Sequence, residues 1–144
     1  MIVPSTRRVR VVHAGTTIAE TSDALRVLET AGAPVWYLPA ADVRLDLLRP
    51  SAGGATFCEW KGRATYLDLI LPDGSAVPRV AWRYEDPQPG YEAIRGRLAF
   101  YASRVDEATV DGERVRPQPG GFYGGWVTDD VVGPFKGEPG TEGW

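Results

Sequence analysis

The sequence predicts a mainly β fold, for three reasons. Short β-favouring segments recur at roughly even spacing, turn signals built from Gly, Pro or Asp separate them, and no internal repeat is visible. This pattern is typical of a sandwich or barrel-like all-β fold. With 144 residues, 43% of them hydrophobic, the chain is long enough for one domain with one core.

The first elements are predicted from alternating polar and β-branched residues. Up to residue 44 they are a hairpin of residues 8–14 and 16–20, a strand of residues 35–38 and one helical turn of residues 40–44. Ala14-Gly15 supplies the hairpin turn, and Pro39 ends the aromatic strand. Residues 22–30 fit either a helix face or a strand, and their pattern does not separate the two.

The later elements follow the same logic. After residue 60 they are strands at 63–71, 80–84 and 98–101, a short helix at 91–96 and a hairpin at 108–115. The strand at 63–71 alternates clearly, with Ala64 and Tyr66 on one side and Leu67 and Leu69 on the other. The last hairpin turns at Asp111-Gly112.

We expect a single domain over residues 1–116 and an extension over residues 117–144. The extension holds eight glycines between Gly120 and Trp144, which would normally indicate disorder. It also holds five aromatic residues, Phe122, Tyr123, Trp126, Phe135 and Trp144. Because these rings carry much apolar area, we expect the extension to pack on the domain or on a partner subunit.

Composition excludes several classes of partner. A net charge of −3 and a pI near 5.2 argue against a sequence-independent grip on nucleic acid. No apolar run approaches the roughly 18 residues that a membrane span requires. One cysteine cannot form an internal disulfide, which fits a reducing compartment. We therefore expect a cytoplasmic monomer or homodimer that binds neither nucleic acid nor membrane.

Known catalytic and cofactor motifs are missing from the sequence. One Cys and one His do not supply the ligands of a zinc site, and no Gly-rich phosphate loop occurs. A nucleotidyltransferase would pair the Gly74-Ser75 turn with a nearby D-x-D, which is absent. No cofactor or metal is expected.

The most informative segment is Cys58-Glu59-Trp60-Lys61-Gly62. It holds the single cysteine and one of two lysines in a chain with fourteen arginines, so Lys61 suggests a role for a compact point charge or a reactive amine. Other aromatic residues near predicted strand ends accompany it. The candidate ligand-binding residues are Tyr37, Asp42, Cys58, Trp60, Lys61, Trp82, Tyr84 and Tyr101.

If these strand ends converge, they form a concave pocket with aromatic walls. Tyr84 would donate a hydrogen bond, Lys61 would attract an anion or a carbonyl oxygen, and Asp42 would balance the lysine. We expect a binding protein for a small polar or cyclic molecule. The alternative is an enzyme with Cys58 or Lys61 as nucleophile and Asp42 or Tyr84 as proton handler. A third possibility is an interaction module that docks through residues 122–144.

The order of several segments resembles a bacterial family known as domain of unknown function 427. The matching pieces are Arg8-Val9-Arg10-Val11, Trp36-Tyr37-Leu38-Pro39, Thr56 to Gly62, Ala81-Trp82-Arg83-Tyr84 and Phe100-Tyr101 with Arg104-Val105-Asp106. The resemblance spans roughly residues 7 to 115. The ending, with Phe122 to Trp126 and Gly133 to Gly137, is similar to longer actinobacterial members.

This resemblance implies the β-tent fold, in which two antiparallel sheets meet at an angle, with one or two short helices. The fold is shared with cereblon-type thalidomide-binding domains, whose ligand sits in an aromatic cage, and this implies a cage role for Trp60 and Trp82. The chain departs from those relatives because it lacks their paired zinc cysteines and carries Glu59 where the family has proline. The core alone must then hold the tent, and Glu59 adds a carboxylate beside the expected pocket.

Overall fold

The computed structural model describes residues 1–29, 32–52, 55–58, 61–119 and 124–131. The strands in chain order are β1 (Ile2–Ser5), β2 (Val9–His13), β3 (Thr16–Thr21), β4 (Ala24–Val27), β5 (Val35–Tyr37), β6 (Leu48–Pro50), β7 (Thr56–Cys58), β8 (Gly62–Ile70), β9 (Ala76–Tyr84), β10 (Ala99–Phe100), β11 (Glu107–Val110), β12 (Glu113–Arg114), β13 (Arg116–Pro117) and β14 (Trp126–Val127). Short 3-10 turns span Ala40–Asp42, Leu45–Leu47, Glu92–Ile94 and Ala102–Arg104. The predicted mainly β class is confirmed.

Within these residues the strands form four sheets, and every pairing is antiparallel. The strand orders are β1-β4-β5, β10-β9-β8-β6 with β7 also paired to β8, β12-β11-β2-β3, and β13-β14. Bridges between Leu38 and Leu98 and between Ala19 and Val43 connect the sheets. The ambiguous segment at 22–30 contains strand β4, which pairs with both β1 and β5.

Both predicted hairpins have the turn geometry that their sequences require. Ala14 and Gly15 have φ of 50° and 74°, and Asp111 and Gly112 have φ of 49° and 82°. Positive φ at both central residues matches the right-handed twist of the flanking strands. Asp111 also accepts the backbone N–H of Arg8 at 2.8 Å, which ties the second turn to the start of β2.

Apolar side chains form two clusters on opposite faces of β8 and β9. Leu67, Leu69 and Val80 belong to the larger cluster, which fills the space between the main sheets. Ala64, Tyr66, Trp82 and Tyr84 belong to the second cluster, which is rich in aromatic rings. The predicted alternation along residues 63–71 therefore separates the two clusters.

An irregularity interrupts the pairing of β8 with β9 just before the aromatic residues of β9. The pairing of β8 with β9 shifts between Leu67 and Leu69, and Arg79 has a φ of 50°, in the left-handed region. Asp68 accepts the backbone N–H of Arg79 at 2.8 Å and so holds the bulge. The irregularity adds two residues to β9, so the alternation beyond it is kept, and Trp82 and Tyr84 lie on the face of their β8 partners Tyr66 and Ala64.

The C-terminal hairpin of β13 and β14 packs on the domain; we call its described residues, 116–119 and 124–131, the strap. Trp126 is 1% exposed and stacks on Trp36 with ring centroids 6.2 Å apart. Its indole N–H donates to the carbonyl of Phe100 at 2.9 Å. The other aromatic residues predicted to pack, Phe122, Tyr123, Phe135 and Trp144, lie outside the described residues. In the part of the chain that is described, no helix is long and apolar enough to cross a membrane.

Candidate functional site

A cavity of about 350 Å³ opens beside the aromatic cluster. Five of the predicted site residues whose positions are described lie on strands or strand ends that face it: Tyr37 on β5, Cys58 on β7, Trp82 and Tyr84 on β9, and Tyr101 directly after β10. Lys61 lines the cavity immediately before β8. The order β10-β9-β8 with β7 on the same sheet brings most of these segments together. Strand β5 belongs to the neighbouring sheet and meets them beside the Leu38–Leu98 bridge.

Four rings make one continuous wall of the cavity. Trp82 packs on Tyr101 with centroids 4.6 Å apart, and it meets Tyr37 edge-on at 6.5 Å. Tyr84 lies 6.4 Å from Tyr37. These separations are in the range at which aromatic pairs attract each other beyond simple burial. The wall is therefore held in place by its own contacts.

The hydroxyl groups on this wall have different partners. The indole N–H of Trp82 donates to the Tyr37 hydroxyl at 3.4 Å, a long hydrogen bond. Thr56 and the Tyr66 hydroxyl share a hydrogen bond of 2.9 Å. Within the described residues nothing hydrogen-bonds to the Tyr84 hydroxyl, although Tyr84 is only 6% exposed.

Burial keeps the phenols neutral. Loss of solvent raises the pKa of Tyr101 to about 12, with the neighbouring Tyr66 adding to the effect. Loss of solvent, reinforced by Tyr84, raises the pKa of Tyr37 well above its ordinary value. Burial, followed by the nearby Cys58, raises the pKa of Tyr84 as well. At neutral pH all three hydroxyls are uncharged and able to donate.

Two arginines cover rings of the cavity lining from other directions. The guanidinium of Arg79 lies 3.9 Å from the centroid of Tyr66, and that of Arg104 lies 4.3 Å from the centroid of Tyr101. Arg104 also donates to the backbone carbonyl of Arg79 at 2.7 Å. This pair of stacked cations supports the tyrosines and fixes the bulge in β9.

Lys61 is buried, and its partner is Glu29 rather than the predicted Asp42. The ammonium contacts the Glu29 carboxylate, which lies shortly before β5 and also lines the cavity. Lys61 is 8% exposed, whereas the Glu29 side chain is about half exposed. The ion pair therefore has its cation inside and its anion toward solvent.

Asp42 lies elsewhere in the fold. It ends the 3-10 turn after β5 and accepts the hydroxyl of Thr21 at 2.7 Å. The described lining of the cavity does not include it. The turn that holds Asp42 packs against β3.

The rim of the cavity combines a thiol with an exposed ring. Cys58 is a free cysteine that lines the cavity, and Phe57 beside it is 67% exposed. Trp60 and Glu59, which the sequence placed at the same rim, lie outside the described residues. In the part of the chain that is described, no group of three or more His, Cys, Asp or Glu side chains could hold a metal ion.

The strap closes another side of the cavity. The side-chain oxygen of Gln118 accepts the backbone N–H of Ala33 at 3.0 Å. The backbone N–H of Gln118 donates to the carbonyl of Gly125 at 3.0 Å. Gly124 lies so close to Trp82 that a methyl group there would stand 2.0 Å from the indole Cη2. Only a glycine permits this approach of backbone to ring.

Sequence reasoning missed several lining residues. Glu29 and Tyr66 were not predicted, and neither were Gln118 and Gly124. Tyr66 had a usable signal, since the alternation of residues 63–71 puts it on the same side of β8 as Ala64. No local signal identifies Glu29 or the two strap residues, because their role depends on which loops meet.

Fold and cavity together define a class: a small antiparallel β protein with a partly open, aromatic-walled cavity. A family model described as Domain of unknown function (DUF427) matches residues 1–111. The chain belongs to this family, as its resemblance predicted. A search of the curated proteins finds no match. The strap, which begins at Arg116, lies beyond the matched residues.

Proposed function

We propose that this protein binds a small molecule in the aromatic cavity. The observation that carries the proposal is the meeting of Tyr37, Trp82, Tyr84 and Tyr101 from three strand regions around one space of about 350 Å³. Small-molecule sites are usually concave, about 300–1,000 Å³ in volume, and lined by aromatic groups with a few polar contacts. The Lys61–Glu29 pair at the edge supplies such contacts.

The size of the cavity limits the ligand to a compact molecule, and its flat walls favour a ring. Its polar contacts come from phenol hydroxyls and the ion pair. The predicted relation to cereblon-type domains fits such a site, and it stays a prediction from the sequence resemblance.

A thermal-shift screen over a panel of metabolites, followed by calorimetry on each hit, tests the proposal. Trp82→Phe shrinks the wall and removes the hydrogen bond to Tyr37, so hits should lose roughly tenfold or more in affinity. Trp36→Phe is the matched control, because Trp36 is also a buried strand tryptophan but packs in the other cluster. Both changes should cost about 1–3 kcal/mol of stability.

The two variants separate binding from folding. If Trp82→Phe and Trp36→Phe weakened every hit equally, or neither weakened any, the cavity would not be the binding site. A loss confined to Trp82→Phe supports it.

An enzymatic role for the same cavity is the second candidate, and the observation that favours it is the position of Cys58 in the lining. Cys58→Ser should leave ligand affinity nearly unchanged for a pure binder. Loss of product formation, with affinity kept, would instead identify the thiol as a nucleophile. Mass spectrometry of the ligand after incubation with each protein provides the measurement.

A further inference from the structure

We infer that the ligand of this cavity is an uncharged ring compound that carries hydrogen-bond acceptors such as a carbonyl oxygen. This inference rests on the proposed function and names its ligand class. Three observations lead to it. The charges in the lining balance each other, tyrosine hydroxyls in the lining have protons to donate, and arginines already stack on two of the lining rings.

The described lining is electrically balanced. Its charged members are Lys61 and Glu29, and they contact each other. A charged ligand would therefore leave water without meeting a counter-ion that is free to pair with it. Removing an ion from water without compensation is costly, so the cavity selects against both anions and cations.

Two tyrosine hydroxyls in the lining have protons to donate. The Tyr37 oxygen already accepts the Trp82 indole N–H, and Tyr37 is 1% exposed. The described residues provide no acceptor for the Tyr37 proton and no partner for the Tyr84 hydroxyl. Among the described residues, the buried side-chain atoms that lack a hydrogen-bond partner are Arg26 Nε and Arg83 Nε, and the Tyr84 oxygen is not one of them. The Tyr84 hydroxyl is therefore accessible in the cavity lining, where a ligand acceptor can bind it.

Aromatic walls can also attract cations, and here two features oppose that use. The Glu29 carboxylate already pairs with Lys61, so it is not free to pair with a cationic ligand. Arg79 and Arg104 already stack on Tyr66 and Tyr101, so two of the lining rings have a cation against one face. A quaternary ammonium ligand is thus disfavoured by charge although the walls suit it by shape.

The test uses three probes built on one ring: benzamide, benzoate and phenyltrimethylammonium. Titration of the full chain with each probe is followed by the indole N–H resonance of Trp82 in protein NMR spectra. We expect benzamide to bind at least about tenfold more tightly than either charged probe at neutral pH. Equal or tighter binding of benzoate or phenyltrimethylammonium at this resonance would overturn the inference.

Tyr84→Phe checks the donor argument. Removing a hydroxyl that has no hydrogen-bond partner among the described residues should leave the free protein about as stable as before, while benzamide affinity falls several-fold. Tyr91→Phe is the matched control, because Tyr91 packs against the same cluster and lies outside the described cavity lining. Unchanged benzamide affinity in Tyr84→Phe would contradict the donor role.

The outcomes distinguish this inference from the proposed function. If a charged probe bound in the cavity and benzamide did not, the cavity would remain a ligand site and only the ligand class would be wrong. If no probe moved the Trp82 resonance and no metabolite hit depended on Trp82, both conclusions would fail together.

Discussion

At the scale of single residues, the contact between Lys61 and Glu29 sets the charge of the cavity. Glu29→Gln removes the anion and keeps the shape, which leaves the buried Lys61 ammonium free to pair with a ligand. We expect benzoate affinity to rise several-fold and benzamide affinity to fall or stay level. NMR titration at low and high salt measures both effects, and the gain for benzoate should shrink at high salt.

Glu85→Gln is the matched control for this removal of charge. Glu85 is also one partner of an ion pair, with Arg83 at 2.9 Å, and it lies outside the described lining of the cavity. Its replacement should not alter benzoate binding. If both variants, or neither, gained affinity for benzoate, the Lys61–Glu29 contact would not control ligand charge.

The same pair shows what sequence could and could not predict at this scale. Lys61 stands out because arginine fills almost every other basic position, and it does line the cavity. Asp42 was the predicted partner because it follows the aromatic strand closely. The true partner, Glu29, lies before that strand, and nothing in its local sequence indicates that its loop folds over Lys61.

At the scale of elements, the strap is held by one anchor and one close approach. Trp126 supplies the anchor, and Gly124 supplies the approach to Trp82. Gly124→Ala would place its methyl group 2.0 Å from the indole, so the strap or the ring must move. We expect a stability loss of about 1–3 kcal/mol and a changed Trp82 environment, measured by chemical denaturation and the Trp82 indole resonance.

Gly32→Ala is the control for that change. Gly32 also lines the cavity, but a methyl group there would meet its nearest neighbours at 3.8 Å and 4.0 Å, which is ordinary contact. It should keep both stability and the indole resonance. If the two substitutions had similar effects on stability and on the indole resonance, the close approach of Gly124 would not constrain Trp82.

Elements differ in how far their sequence determines them. The hairpins at Ala14-Gly15 and Asp111-Gly112 and the alternation along β8 were predictable, because turn chemistry and period-two patterns are local. The bulge at Arg79 was not, since a residue other than glycine with positive φ depends on Asp68 and Arg104 from other parts of the chain.

At the scale of the whole molecule, two clusters share β8 and β9 but have different chemistry. The larger cluster is mostly aliphatic and stabilises the sheets, while the aromatic cluster also forms the cavity. Folding therefore buries the phenol groups that line the proposed ligand site. This coupling of site to stability gives the protein a pH limit on the alkaline side.

Alkaline unfolding tests that coupling. Tyr37, Tyr84 and Tyr101 have raised pKa values in the folded chain, against an ordinary value of 10.0, because burial penalises the phenolate. Above pH 10 the unfolded chain releases these protons while the folded chain keeps them, so the free energy of unfolding must fall as pH rises. Tyr101, with a folded pKa of about 12, contributes a loss of stability that develops as the pH rises from 10 to 12.

Urea denaturation across this range, with tyrosinate absorbance recorded on the folded protein, measures the effect. The phenols face Glu29 and Cys58 on one side and Arg79 and Arg104 on the other, and the arginines moderate the shift at Tyr101 without cancelling it. Tyr84→Phe removes one late-titrating group, so its stability should decline less steeply than that of the parent chain. If every tyrosine of the folded protein ionised at the pH of a free phenol, the cavity wall would be solvated, and the burial on which the proposed ligand site depends would be absent.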